Sequence, residues 1–322
     1  MTESIKPTGT EILKTSGFTL VVYTNKNSKI FETAAENVTE HFSDKKETIG
    51  ILYDDFNPNI EVRDSFRKKH KNIKIFTIAH VRKTLKMDDK AFMGDIMKDS
   101  KFVPKHYTTT DFEPDGDNQL FYVKRRGSSG ALGVKIMRYE DLPAEIPKDT
   151  VIQGNNVNPD LFDGKRYKIR VYVLLFNGKV YMNKKCWGSV ATIDYKEDIT
   201  GMSQDDLKKM NIIHQTAGRK WITYQDLDEY DTIFENLVES CKDFKEIYRE
   251  YISKIEEKEY AILGFDYVVN ADKTVCIIEI NQRSNYAHPA DISNGIDIPV
   301  IEDVMKLMIQ DGVENTDFVY IE

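Results

Sequence analysis

The stretch Ala261-Ile-Leu-Gly-Phe-Asp-Tyr-Val-Val-Asn270, then Ala271-Asp-Lys273, then Thr274-Val-Cys-Ile-Ile-Glu-Ile-Asn281, decides how this chain is read. Both halves are rich in β-branched and aromatic residues, and Asn-Ala-Asp-Lys between them is turn chemistry. The pattern predicts a β-hairpin. Pairing Asn270 with Lys273 sets Asp266 opposite Ile277 and Gly264 opposite Glu279. Side chains alternate faces along a strand, so Asp266, Glu279 and Asn281 share one side, and Gly264 leaves room beside Glu279. Asp266 and Glu279 become diagonal neighbours, roughly 7–8 Å apart at the backbone. That gap is too long for a shared proton but suits carboxylates closing on a hard cation. The flanking residues are apolar, and buried unpaired charge is expensive. A magnesium ion, held by these oxygens and by a substrate's phosphates, relieves the cost. The alternative is a solvated face on which the acids are incidental.

Working outward, the segment before the hairpin, Asp226 to Lys258, predicts a long amphipathic helix. Its apolar residues Ile233, Leu237, Cys241, Phe244, Tyr248, Tyr251 and Ile255 step by threes and fours, which is core packing. After the hairpin, Gln282-Arg-Ser-Asn-Tyr-Ala-His-Pro289 is a loop from which Arg283 and His288 can reach a substrate. A closing helix spans about 299–310.

Lys165 to Phe176 reads as a strand, Asn177-Gly178 as a tight hairpin turn, and Lys179 onward as the return strand. A two-residue turn pairs Phe176 with Lys179 and therefore Arg170 with Lys185. Arg166, Lys168, Arg170 and Lys185 then share one face, and no Asp or Glu occurs between Gly164 and Ile193. Like charges opposite each other destabilise a sheet, so an anion or water must neutralise them. A local cationic cluster in an acidic chain points to a phosphate or carboxylate site.

Gln119 to Arg125 is a strand carrying Lys124. It runs into Arg126-Gly-Ser-Ser-Gly-Ala-Leu-Gly133 and a second strand, Val134 to Arg138. A glycine-rich loop between two strands is neither a Walker loop, which needs Lys-Ser/Thr after its last glycine, nor a dinucleotide fingerprint, which opens a helix. It reads as a flap whose amides at Gly127 and Gly130, with Ser128 and Ser129, close over phosphates. A surface hairpin is the bland reading. Asp88 to Lys98 is a short helix with Lys90 in its first turn. Val151-Ile-Gln-Gly-Asn-Asn is a short strand. At the N-terminal end, residues 1–17 read as a polar leader. Strands at Phe18–Thr24, Thr48–Tyr53 and Ile73–Ala79 alternate with helices starting at Ser28 and near Glu61, which implies a small, mostly parallel α/β lobe.

The chain has 322 residues, with 40% hydrophobic and 30% charged residues and a formal net charge of −8. This describes a globular protein with a large core and argues against a general nucleic-acid binder. No apolar run is long enough to cross a bilayer, and the first residues lack the apolar core of a signal peptide. Cys186, Cys241 and Cys276 match no metal spacing. A cytoplasmic, membrane-free location is expected.

These residues resemble the ATP-grasp superfamily, and within it the tubulin tyrosine ligase-like branch, from about Lys90 to Asn281. The strand with Lys124 and its glycine-rich loop looks like the family's lysine and phosphate flap. Val151-Ile-Gln153-Gly154-Asn155 looks like the hinge that binds adenine through backbone groups. Asp163-Gly-Lys-Arg-Tyr-Lys-Ile-Arg-Val-Tyr-Val173 resembles the branch's signature, although Arg166 stands for its Lys and Lys168 for its Asp. Gly264-Phe-Asp266 and Ile278-Glu279-Ile-Asn281 resemble the magnesium ligands.

The resemblance implies an α/β (α+β) ATP-grasp fold. Its N-terminal α/β lobe would span 1–86, its central lobe with the flap 87–150, and its C-terminal antiparallel-sheet lobe 151–322. It also implies ATP- and magnesium-dependent ligation of a carboxylate to an amine. Asp266, Glu279 and Asn281 would hold Mg2+. Lys90, Lys124, Gly127, Ser128, Ser129, Gly130, Gln153, Gly154, Asn155, Arg166 and Lys168 would hold ATP. Arg170, Lys185 and Arg283 would act on the transferring groups, and the acceptor would be an anionic small molecule or peptide. The alternatives are a polyol-phosphate kinase of the same fold and a catalytically silent nucleotide-binding protein.

Overall fold

The computed structural model describes residues 9–54, 60–107, 112, 120–126, 133–155, 158–211, 220–282 and 284–322. Strand β1 (Thr10–Ser16) opens the chain where a polar leader was expected, and pairs antiparallel with β2 (Phe18–Thr24). Ile12 is buried and Leu13 exposed, the alternation of a one-sided edge strand. Helix α1 (Ser28–His41) lays Ile30, Phe31, Ala34, Ala35 and Val38 on the sheet. Strand β3 (Thr48–Tyr53), helix α2 (Ile60–Lys69) and β4 (Lys74–Ile78) follow, and β2, β3 and β4 pair in parallel.

Helices α3 (Val81–Asp88) and α4 (Lys90–Ile96) lead to β5 (His106–Tyr107), β6 (Leu120–Arg125), β7 (Lys135–Arg138) and β8 (Thr150–Gly154). These four strands form a separate sheet in the order β5-β8-β6-β7. Next come β9 (Leu161–Phe162), the long hairpin β10 (Lys165–Phe176) and β11 (Lys179–Val190), α5 (Gln204–Asn211) and β12 (Lys220–Thr223). The expected helix over 226–258 is instead α6 (Tyr230–Ile247) and one turn, α7 (Arg249–Ile252), with a break at Tyr248. Strands β13 (Glu259–Val269) and β14 (Val275–Asn281) form the predicted hairpin. Helices α8 (Ala290–Ile292) and α9 (Ile298–Gln310) and strand β15 (Phe318–Tyr320) close the chain. Among the described residues no helix is long and apolar enough to cross a membrane.

Among the described residues the large sheet has 11 strands: eight run β1-β2-β3-β4-β13-β10-β11-β12, and β14 pairs with β13, β15 with β11 and β9 with β10. Strand β13 joins its halves, pairing in parallel with β4 through Glu259 and Tyr260 and antiparallel with β10 beyond. Alternate residues of β10 serve two cores. Ile169, Val171, Val173 and Leu175 pack with Phe265, Tyr267, Ile277 and Ile280 under α6. Tyr172, Leu174 and Phe176 pack with residues of α1 and α9. Further along that second face, the same periodicity places Lys168 and Arg170.

Both hairpin registers depart from expectation. Lys273 adopts a left-handed φ of 65°, and Asn270 N–H donates to Thr274 O at 2.8 Å. The result is a three-residue loop with a bulge, not a two-residue turn, and it pairs Val269 with Val275. Continued regularly, this register would point Glu279 into the α6 core. The ladder shifts again between Asp266 and Tyr267, leaving Ile278 unpaired, so Asp266 lies directly opposite Glu279 and Gly264 opposite Asn281. Two added residues thus restore the shared face that the simpler register implied. In the β10–β11 hairpin Phe176 does pair with Lys179, but the register shifts between Val171 and Val173, and Arg170 faces Trp187 instead of Lys185.

Candidate functional site

One row of side chains crosses four strands as successive partners: Trp187 on β11, Arg170 on β10, Asp266 on β13 and Glu279 on β14. Asp266 is 1% exposed. Arg170 grips it with two hydrogen bonds, Nε to Oδ1 at 2.6 Å and Nη2 to Oδ2 at 2.8 Å. Lys168 Nζ adds a third to Oδ2 at 2.8 Å. Burial alone would raise the Asp266 pKa, but the Arg170 and Lys168 cations beside it hold its carboxyl well below the usual carboxylate range. The expectation that an anion or water must neutralise this strand is therefore corrected in part: Asp266, on the neighbouring strand, pairs with both cations and balances one of their two charges.

The small sheet and α4 supply two more cations from across the crevice. The Asp89 carboxylate accepts from the Ala91 and Phe92 amides and caps α4, so Lys90 begins the helix at a fixed place. Lys90 Nζ lies 2.8 Å from Glu279 Oε1 and is 5% exposed. Lys124, buried on β6, donates to Gln153 Oε1 and, at 3.4 Å, to the carbonyl of the bulged Ile278. Burial pushes the Lys124 ammonium down to about 8, and the nearby Glu279 carboxylate offsets part of that fall. Gln153 is itself held by His106, whose Nε2 lies 3.2 Å from Gln153 Nε2. Burial, with Lys124 nearby, pushes His106 down to about 4, so it is neutral near pH 7.

The remaining expected residues divide. Arg166 is buried, donates to Asn155 Oδ1 at 2.8 Å and to Asn211 Oδ1, and lies 5.2 Å from the Tyr195 ring. Gly154 and Asn155 donate their N–H groups to Lys105 O at 2.9 Å and Leu120 O at 3.3 Å, so these donors are engaged within the protein. The Asn281 side-chain amide donates to Gly264 O at 3.2 Å, which ties the end of β14 to β13. Lys185 pairs with Asp317 at 2.7 Å and stands outside the charged row; the extra residues of the β11 bulge carry it away from Arg170. Gly127, Ser128, Ser129, Gly130 and Arg283 lie outside the described residues.

Sequence reasoning missed Ser284, Trp187 and the Tyr172–Asp297 pair. Ser284 Oγ is buried and unpartnered. A Cβ placed on Gly264 would lie 3.0 Å from Ser284 Oγ and 3.1 Å from Arg170 Cδ. Gly264 therefore makes room for Arg170 and Ser284, not for Glu279. Its presence in the motif was the available signal.

Among the described residues no three His, Cys, Asp or Glu side chains cluster as a ready-made metal cage. Two adjacent carboxylates and an amide nevertheless match what magnesium takes from a protein when phosphates and water complete its shell. The donor set fits on one condition: Arg170, Lys168 and Lys90 must swing from the carboxylates to the phosphates. Among the described residues, four cations, Lys90, Lys124, Lys168 and Arg170, lie around the two carboxylates Asp266 and Glu279, a surplus of two positive charges within this set. A magnesium-bound nucleoside triphosphate carries a net charge of about −2 and would balance that surplus.

No protein-family model matches the chain, and no curated protein matches it in sequence. Among solved structures, it is similar to the crystal structure of the C-terminal domain from K. lactis Pby1, described as an ATP-grasp enzyme interacting with the mRNA decapping enzyme Dcp2. The TM-score is 0.65 at 12% identity, over 94% of this chain and 98% of that one. With its large mixed sheet and helices, the chain thus has an ATP-grasp-like fold.

Proposed function

We propose that the protein is an ATP- and magnesium-dependent carboxylate–amine ligase of the tubulin tyrosine ligase-like kind, which joins an amino acid to a peptide, protein or small-molecule acceptor through an acyl phosphate. The observation that carries this reading is the convergence of Lys90 from α4 and Lys124 from the small sheet with Lys168, Arg170, Asp266 and Glu279 from the large one. Lys90 and Lys124 hold the α- and β-phosphates as point charges. Arg170 turns from Asp266 to the transferring phosphoryl group and neutralises the charge that develops there. Asp266, Glu279 and Asn281 would hold magnesium, which supplies further neutralisation of the phosphates. By the sequence resemblance, Gly127, Ser128, Ser129 and Gly130 would serve the phosphates, and Gln153, Gly154 and Asn155 would border the base. A substrate carboxylate attacks the γ-phosphorus, ADP leaves, and an amine displaces phosphate from the acyl carbon. No side chain serves as nucleophile. Positioning and charge neutralisation account for the catalysis.

The test is product analysis by mass spectrometry after incubation with ATP, magnesium and pooled amino acids, with and without acceptors. Amide products with ADP and phosphate are expected, and Glu279→Gln should lower turnover by about a hundredfold or more with the fold intact by circular dichroism. Phosphate retained on an acceptor would instead establish a kinase. Wild-type turnover in Glu279→Gln would remove the metal assignment.

A further inference from the structure

Beside Arg170 lies an aromatic cluster. The Arg170 guanidinium lies 5.3 Å from the Trp187 ring. The His288 ring lies 4.5 Å from Trp187 and 5.5 Å from Trp221, which is partly exposed. His288 Nδ1 is 2.7 Å from Oδ2 of the fully buried Asp297. The other carboxylate oxygen accepts from Tyr172 Oη at 3.2 Å, and Tyr172 Oη accepts from Trp187 Nε1–H at 3.2 Å. A carboxylate on Nδ1 fixes the imidazole tautomer, leaving the lone pair on Nε2 and stabilising the imidazolium once it forms. Nε2 has no hydrogen-bond partner among the described residues. Ser284 Oγ, sealed and unpartnered beside Arg170, is a second polar group in want of a ligand.

We propose that Trp187, Trp221, Ser284 and His288 form the subsite for the attacking primary amine, and that His288 Nε2 takes its proton as the amide forms. This rests on the ligase reading. Indole faces attract an ammonium group, and the cluster stands next to Arg170, where the acyl phosphate would be held. In the step itself the amine lone pair forms the C–N bond. The C–O bond to phosphate breaks, and its electron pair leaves with phosphate. Of the two protons the bound ammonium loses, one passes to His288 Nε2, which frees the lone pair, and the other leaves with phosphate; Asp297 stabilises the resulting imidazolium.

The experiment compares two nucleophiles on wild type and His288→Gln, with ATP, magnesium and the standard amino acids. Hydroxylamine is largely unprotonated near neutrality and traps an acyl phosphate without a base; an amino-acid amine needs one. His288→Gln should form hydroxamate at the wild-type rate but lose about a hundredfold in amide formation, and added imidazole should restore amide formation to His288→Ala. Parallel loss of hydroxamate and amide would show that His288 is structural, and undiminished amide formation would show that it is not the base. Either result overturns this inference while leaving the ligase reading standing. Absence of hydroxamate with wild type would instead overturn the ligase reading, and this inference with it.

Discussion

Lys124 keeps a positive charge where burial disfavours one. Its ammonium is pushed down to about 8 from the ordinary 10.5, so the folded protein binds this proton less tightly than the unfolded chain does. Below pH 8 both states are protonated and the folded state bears the full penalty. As pH rises from 8 towards 10.5 the folded state loses the proton first and the penalty fades. The predicted result, from urea unfolding without metal or nucleotide, is that wild type gains stability relative to Lys124→Met across this range, by up to about 3 kcal/mol. A difference that stays flat with pH would contradict the assignment. Lys124 was legible because it ends a strand beside a glycine-rich loop. The partners of Lys168 and Arg170 were not: Asp266 lies 98 and 96 residues away. No local pattern announces which strand will be inserted beside another, so a cluster with a carboxylate partner read as one without.

Turns decide registers, and registers decide which side chains meet. In the β10–β11 hairpin, Asn177 and Gly178 both take positive φ, 50° and 70°. Asn-Gly is the sequence that favours such a turn, and this pairing was readable in advance. A Cβ on Gly178 would meet nothing within 4 Å, so Gly178→Ala isolates the backbone cost. It should destabilise by about 1–2 kcal/mol in urea unfolding, with turnover per folded molecule unchanged. No loss would show that the turn tolerates a side chain at this φ. In the β13–β14 hairpin, the left-handed residue is Lys273, which has no sequence preference for that conformation, and the bulge falls on Ile278, next to the identical Ile277. Neither shift leaves a local signature. Asp266 and Glu279 were read as diagonal neighbours and are in fact directly opposed, a tighter arrangement for a shared cation.

Across the whole molecule, two sheets meet at a charged seam. Lys90 to Glu279 and Lys124 to the Ile278 carbonyl join α4 and the small sheet to the hairpin of the large one. Arg166 to Asn155 joins β10 to the end of β8. Burying charges this way is tolerable because each is paired or hydrogen-bonded, and removing one partner of a buried ion pair strands the other at a cost of about 3–5 kcal/mol. A nucleotide with its metal would replace these pairs and draw the sheets onto the phosphates. Alternation of strands and helices made the N-terminal lobe legible from sequence. The continuity of that lobe with the C-terminal sheet, through the short pairing of β4 with β13, rests on two residues and left no pattern to read. The most direct test is a crystal grown with manganese in place of magnesium and a non-hydrolysable ATP analogue, with the metal located by anomalous diffraction. The expected result is a manganese peak bridging Asp266, Glu279 and the phosphates, with Lys168 and Arg170 turned from Asp266 to the phosphate oxygens. A triphosphate or metal bound elsewhere, with Asp266 still clasped by Arg170 and Lys168, would contradict it.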